Sequence, residues 1–595
     1  MRKIFIFLLL SFFIPSLVSA NGQNIDVKIL KDEKKLIKKL LKKDTNIQIS
    51  NRLLSLYYKG FKYKTFFVNT QDIKPLAFKL LNTIENDEVL KPNMDKFFNL
   101  KKINNHIKKI QTNPTKEDLI KLDFLFISIY HKYMTLLSKG TINWKKFKEY
   151  LENNEDINTN WEKYNARKNI RKLLYKAINK DNINFAIDQV NYTYPKAKEL
   201  EKKIKEYELL AKNGGYIKIP KIKKSIKKEN YSTQVKLIRE RLLQSGYIKA
   251  NDCNMDKEEF IFPHQEQEQV EVKIDANTAS ININNSENIC DNYYDGELFK
   301  AVKMFQKDNG LTQDGIIGKN TIKALNIPIE EKIKKMRLNL ERMRWLPRNL
   351  GKRFIVVNIP AFDMKMYFNN EKKIQMRVIV GNKKHPTPIF SHRMSEIILN
   401  PYWRIPQSIV KKELIPNLVK NQNYLEEEDI NIHENWDYKS VKYDPNGIDW
   451  SIFLDNNLIG DDKNAPMRFI QIPGDKNPLG KMKFLFPNKY SVYLHDTPAK
   501  YLFKKDYRAF SHGCIRLSNP KELLNAISKE EDKIDLKNSE EILKTKQRTD
   551  IDLDKKIPVH IVYLTAWVDE NNKVQFRDDI YGYDEIQGKI LFNKD

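Results

Sequence analysis

Through the first third of the chain, apolar residues recur at three-to-four spacing. Leu36, Ile37, Leu40 and Leu41 show it, and so do Leu119, Ile120, Phe124 and Leu125, with Lys and Asn between them. That period keeps one face of a helix apolar, so residues 27–228 read as a helical scaffold region. The lysine-rich stretch 221–230, KIKKSIKKEN, reads as a polar linker. Thr233 to Tyr247 predicts a helix with Val235, Ile238 and Leu242 on its apolar face. Residues 249–292 break the pattern with Gln/Glu- and Asn-rich sequence, as an inserted loop would. After it, Leu298, Val302 and Phe305 form one helical stripe, and Gly310 fits a C-terminal cap. Asp314-Gly315 supplies a turn, and Thr321 to Leu325 a further short helix. From Phe354 the period changes to strands. Phe354–Ile359, Lys365–Phe368, Met376–Val380, Glu396–Leu399 and Ser491–Leu494 are β-branched and aromatic, bounded by Asn, Pro and Gly. The fold class expected is multidomain α+β, helical at the N-terminus and mainly β in its later half.

Composition sharpens this picture. A chain of 595 residues has room for three or four domains, and 41% hydrophobic content with 11% aromatic residues excludes a disordered chain. Only Cys253, Cys290 and Cys514 are present, which excludes a disulfide-dense scaffold and a multi-cysteine metal site. The formal net charge of +28 is uneven: residues 1–250 hold 52 basic and 25 acidic side chains, the remainder 53 and 52. A basic first half suits an anionic partner, whether nucleic acid, acidic headgroups or a wall polymer; solvated Lys-rich helix faces would look the same. Arg2 and Lys3 precede the apolar stretch Ile4–Val18, which ends in Val18-Ser19-Ala20, the pattern of a secretory leader over residues 1–20. The stretch is short for a span, so a weak, uncleaved membrane anchor is the alternative reading. Export removes nucleic acid from the expected partners and places the thiols in an oxidising compartment.

One short region concentrates reactive side chains. Tyr493-Leu494-His495-Asp496 is followed, after fourteen residues, by Ser511-His512-Gly513-Cys514-Ile515-Arg516-Leu517. Cysteine is the best nucleophile among side chains near neutral pH, but only as thiolate. A histidine within reach can take its proton and return it to a leaving amine. Gly513 lets backbone approach closely, so that N–H groups can face a developing oxyanion. Arg516 lies on the same face as Cys514 if the stretch is extended; there it can lower the thiol pKa or hold a carboxylate. Spacing does not choose between His495 and His512 as the base. Zinc would need further ligands, and no other Cys lies nearby.

These motifs resemble known families. Ala301-Val302, Phe305-Gln306, Gly310-Leu311, Asp314-Gly315, Gly318, Thr321 and Ala324-Leu325 are similar to the small three-helix peptidoglycan-binding domain, placed at 231–328 with the 249–292 insertion. HDx14SHGCIRL resembles the signature of the L,D-transpeptidases of YkuD type, and VNIPAF (357–362), VIVGNKKHPTPIF (378–390) and NPYWRIPQSI (400–409) resemble the large periplasmic members. The resemblance implies a catalytic domain at 353–566 with a capping insertion at about 404–460, then a C-terminal extension, 567–595. It implies Cys514 as nucleophile and His495 as base, with the Asp496 carbonyl orienting the imidazole and Gly513 shaping the oxyanion hole. Tyr493, Ser511, His512, Arg516 and Trp403 would line the substrate site. It further implies 3→3 cross-linking of tetrapeptide stems of peptidoglycan in the periplasm, without metal or cofactor. An L,D-carboxypeptidase or a non-catalytic wall-binding protein are the alternatives. Cys253 and Cys290 are candidates for a disulfide closing the insertion, a pairing whose geometry spacing does not reveal.

Overall fold

The structure is a computed structural model that describes residues 31–43, 49–112, 114–153, 160–165, 168–249, 292–455 and 467–592. The expected leader, Cys253 and Cys290 lie outside the described residues. Among those described, no helix is long and apolar enough to cross a membrane. The chain divides into two compact units: one is residues up to Lys139 with Arg167–Asn191, the other Gly140–Ala166 with Tyr192 onward.

The first unit is helical, as the spacing of its apolar residues predicts. The longest helix, Lys116–Lys139, buries Leu119, Ile120 and Phe124 among the helices around it. Asp123 is buried in this core. It accepts from the Tyr58 hydroxyl and from the Phe66 and Phe67 N–H groups at 3.0 and 2.6 Å, and burial pushes its carboxyl up to about 6.

Two segments of the expected scaffold region 27–228 pack within the second unit. Trp144, Phe147 and Trp161 pack with Trp345 in the core of the second unit, and Ala197–Lys212 lies along the helix Ile329–Met343, with Arg337 and Glu208 at 2.5 Å. A helical period shows which face is apolar, not which partner covers it.

In the second unit, three helices, Val235–Gln244, Gly296–Asp308 and Lys319–Leu325, share a core of Ile238, Leu242, Leu298, Val302, Phe305 and Leu325. Asp295 caps the middle helix by accepting from Leu298 N–H at 2.7 Å, and pairs with Arg239 at 2.7 Å. The Gln306 side chain is buried; it donates to Asp314 and Ile316 and accepts from Gly315 N–H at 2.8 Å. That network fixes the Asp314-Gly315 turn.

The strands are β1 (Arg353–Asn358), β2 (Asp363–Phe368), β3 (Glu371–Gly381), β4 (Ser391–Leu399), β5 (Trp403–Arg404), β6 (Ile430–His433), β7 (Lys442–Tyr443), β8 (Arg468–Gln471), β9 (Met482–Leu485), β10 (Leu494–His495), β11 (Ala509–Ser511), β12 (Ile515–Leu517), β13 (Thr549–Val562), β14 (Ala566–Val568) and β15 (Val574–Phe576). The main sheet runs β11-β3-β12-β10-β9-β4-β13-β1-β2, and β2 pairs back onto β3. Eight strands therefore close into a ring, and β11 attaches at the bent end of β3. Period-2 alternation turns Ile355, Val357, Ile397, Phe484, Leu494 and Ile515 into its interior. Of the expected strand Ser491–Leu494, only Leu494 is in the ladder, because Ser491 sits at φ +55°.

β5, β8, β6 and β7 form a separate four-stranded sheet with its own core of Ile405, Val410, Leu414, Leu418, Ile432 and Phe469. It passes the expected boundary near 460 and reaches Gln471, since β8 is one of its two inner strands. The segment after 566 is no appendage: Tyr581, Tyr583, Ile586 and Leu591 lie in the barrel's core cluster.

Candidate active site

The site grows from the register of three short strands. Leu494 of β10 pairs with Phe484 of β9 and Ile515 of β12, and all three point inward with no exposed surface. The next pairs, His495 with Lys483 and His495 with Arg516, therefore set Lys483, His495 and Arg516 in one row on the outer face. Cys514, one residue before Ile515, falls opposite Tyr493 at the edge of that row, and Ile515 N–H donates to the Tyr493 carbonyl at 3.1 Å.

His495 is buried. Its Nδ1 meets the Asp496 carbonyl at 2.5 Å, so Nδ1 carries the proton and Nε2 is the basic nitrogen. Burial dominates its protonation, with the Arg516 and Lys483 cations adding to it. Together they outweigh the Asp496 and Leu479 carbonyls and hold the imidazole down at about 3. The ring is thus neutral at physiological pH. The Asp496 side chain has a separate use: it accepts from Lys481 N–H at 2.9 Å and pairs with Lys500 at 2.5 Å, tying the loop before β9 to the histidine.

Cys514 is a free, half-buried thiol. Its sulfur lies 3.9 Å from the Ser491 carbonyl, and the Tyr493 backbone N–H and hydroxyl donate toward it. Burial pushes the thiol up, opposed by those donors and by Lys483 and Arg516. No hydrogen bond among the described residues joins the His495 ring to this sulfur.

The turn ahead of Cys514 is held from below. Gly513 adopts φ +114°, where a side chain would be strained. Its N–H donates to Ser511 Oγ at 3.1 Å, and Ser511 Oγ donates to the Cys514 carbonyl at 2.5 Å. Ser511, expected in the substrate site, is instead buried and shapes this turn. With the Gly513 N–H engaged, the Cys514 N–H is left without a partner among the described residues and is the donor free to face an oxyanion. Thr387, which sequence reasoning missed, donates to the Gly513 carbonyl at 2.8 Å and accepts from Gly381 N–H at 2.8 Å. Tyr581 completes the brace by donating to the Gly381 carbonyl at 2.6 Å and accepting from Thr387 N–H at 3.2 Å. A Cβ at Gly381 would meet the His385 carbonyl at 2.1 Å, so only glycine allows the approach.

The other expected residues separate into two groups. Arg516 is close, with its Nε buried and unpaired. His512 is half exposed, 3.5 Å from Glu413 of the four-stranded subdomain, and tilted against His385 with ring centroids 4.9 Å apart. Trp403 packs against the subdomain's own core. Thr387 lies within the family-like stretch 378–390, but the motif did not single it out; Lys483 lies in no such motif, and the alternation of β9 predicts its side chain on the outer face without naming its neighbours. No group of three or more His, Cys, Asp or Glu among the described residues is gathered to hold a metal.

Residues 352–546 match the family "L,D-transpeptidase catalytic domain", residues 284–325 the family "Putative peptidoglycan binding domain", and residues 52–204 the family "Scaffold domain". A "Putative L,D-transpeptidase" of Haemophilus influenzae is 32% identical over 250 residues, which are 42% of this chain and 48% of that protein. The chain thus spans about half the length of this curated relative. Among solved structures, an L,D-transpeptidase from Mycobacterium smegmatis aligns at 14% identity over 35% of this chain and 58% of that one, with a TM-score of 0.16. An L,D-transpeptidase from Xylanimonas cellulosilytica aligns at 12% identity over 57% and 99%, also at 0.16.

Proposed function

We propose that this chain, which carries a YkuD-type L,D-transpeptidase catalytic domain and a peptidoglycan-binding domain, joins stem peptides of peptidoglycan through a thioester on Cys514. The observation that supports it most is the outer sheet face on which a free thiol, a neutral buried imidazole and the cation of Arg516 occur within one register step of each other. Substrate binding draws the sulfur off the Ser491 carbonyl, and the proton passes to His495 Nε2, as catalytic contacts often tighten only in the complex. The thiolate attacks the amide carbonyl of the third residue of a tetrapeptide stem. The oxyanion meets the Cys514 N–H, and the terminal D-Ala leaves with the proton from His495. An amine of a second stem then attacks the thioester, giving a 3→3 link and restoring the thiol. Arg516, with a buried nitrogen unpaired, suits the free carboxylate of the donor stem. The place of action is the periplasm, where the wall polymer lies.

Mass analysis of muropeptides after incubation with sacculi tests the reading. Dimers linked 3→3, absent with Cys514→Ala, are expected. Tripeptides without dimers would make the protein an L,D-carboxypeptidase. Retention on sacculi without any modified muropeptide would make it a wall-binding protein.

A further inference from the structure

Lys483 is a cation that no carboxylate among the described residues pairs with directly. β9 pairs it directly with His495, its Nζ sits 3.8 Å from the centroid of the Tyr493 ring, and among the described residues no carboxylate lies within ion-pair distance of it. The Tyr493 ring stands edge-on to His495 at 5.6 Å and its hydroxyl reaches the Cys514 sulfur. Lys483 is therefore one aromatic ring away from both members of the thiol–imidazole couple. An unpaired, partly desolvated ammonium is costly unless an anion forms nearby in the working state.

We propose that Lys483 is a positioning residue that sets the protonation of the Cys514–His495 couple, compensating the thiolate from one side of the histidine as Arg516 does from the other. This rests on the assignment of Cys514 as nucleophile. The charged and titratable groups around the couple are few. Tyr493 and His495 come from the β10 segment, Arg516 from β12 and Lys483 from β9. Beyond them, Glu396 of β4, Arg404 of β5 and Arg548, just ahead of β13, act on Lys483 itself. Two cations flanking one imidazole make an imidazolium unfavourable, so the pair does not rest as thiolate–imidazolium. The thiolate, when it forms, is held mainly by Lys483 and Arg516. Burial holds the lysine down, and Cys514 is the group that most opposes this, as a partner of that thiolate should.

The test is alkylation of the full-length protein by iodoacetamide across the neutral and alkaline range, following the Cys514 peptide by mass. Lys483→Met is expected to move the alkylation midpoint up by about one unit or more, cutting reactivity at neutral pH roughly tenfold. Lys483→Arg, which keeps the charge, is expected to hold the midpoint near that of the parent. An unmoved midpoint in Lys483→Met that melts like the parent overturns the proposal. Equal shifts in both variants overturn it too, since geometry rather than charge would then be responsible. Should Lys483→Met fail to fold, Lys483→Gln takes its place under the same criteria. The midpoint reads the thiol alone, so failure of the nucleophile assignment would appear elsewhere, as turnover surviving Cys514→Ala.

Discussion

Thr387→Val removes a hydroxyl while keeping side-chain shape, and the hydroxyl links the Gly381 N–H directly to the Gly513 carbonyl ahead of Cys514. Thr387 is 1% exposed, so water cannot replace it. The substitution strands the Gly381 N–H and removes the donor to the Gly513 carbonyl. A buried polar group left unsatisfied costs about 1–3 kcal/mol. The carbonyl keeps a second lone pair, so the loss should lie near 2 kcal/mol rather than at twice the upper value. If that energy holds the turn in its reactive shape, its loss lowers the rate of Cys514 acylation by roughly thirtyfold. Acylation is read as mass gained by the full-length protein on reaction with a carbapenem, an inhibitor class of the family this chain resembles. Urea unfolding of the barrel gives the stability term. Thr387→Ser, which restores the hydroxyl, should recover most of both. A valine variant that unfolds and acylates like the parent, or a serine variant as impaired as the valine, would refute the brace.

Three further outcomes follow from the site. Gly513→Ala must place a side chain at φ +114°; acylation of Cys514 should fall roughly five- to 150-fold, from the about 1–3 kcal/mol that such backbone strain represents. His495 and His560 are both held low by burial, at about 3 and about 4, so the unfolded chain binds more protons than the folded one in mild acid. Stability supplied by the neutral rings is complete above about pH 6.5 and declines as pH falls toward those values, measurable as a fall in the urea midpoint. Asp295→Ala removes a helix cap and the partner of Arg239 in the peptidoglycan-binding domain, a loss of about 2 kcal/mol; sacculus retention should weaken while Cys514 acylation stays intact.

Much of this architecture was legible from period and punctuation. The helix over Lys116–Lys139, the strands around Ile355, Met366, Val378 and Ile397, and the turns at Gly310 and Gly315 follow from local rules, because a face or a backbone angle is fixed by nearby residues. The catalytic candidates were legible because Cys, His and Gly are scarce and fell together. What sequence did not show is pairing over long separation. Lys483 beside His495, Thr387 beneath Gly513, and Tyr581 beneath Thr387 are brought together only by strand pairing and tertiary packing. The Trp144–Trp345 contact and the placement of Tyr583 in the core are of the same kind: an aromatic residue announces burial, not its partner. Ser511 shows a further limit: its hydroxyl chemistry is the same in a turn as in a binding site, and its burial and bonds to Gly513 and Cys514 are visible only in the fold.

The central claim is that a stem peptide is carried on the sulfur of Cys514. Rapid quenching of the protein with a tetrapeptide-stem muropeptide, followed by mass analysis of its proteolytic peptides, measures this directly. An adduct on the Cys514 peptide equal to the donor less its terminal D-Ala, lost when amine acceptor is added as dimers appear, is the expected result. Dimers forming with no adduct there, or with the adduct on another residue, would contradict it.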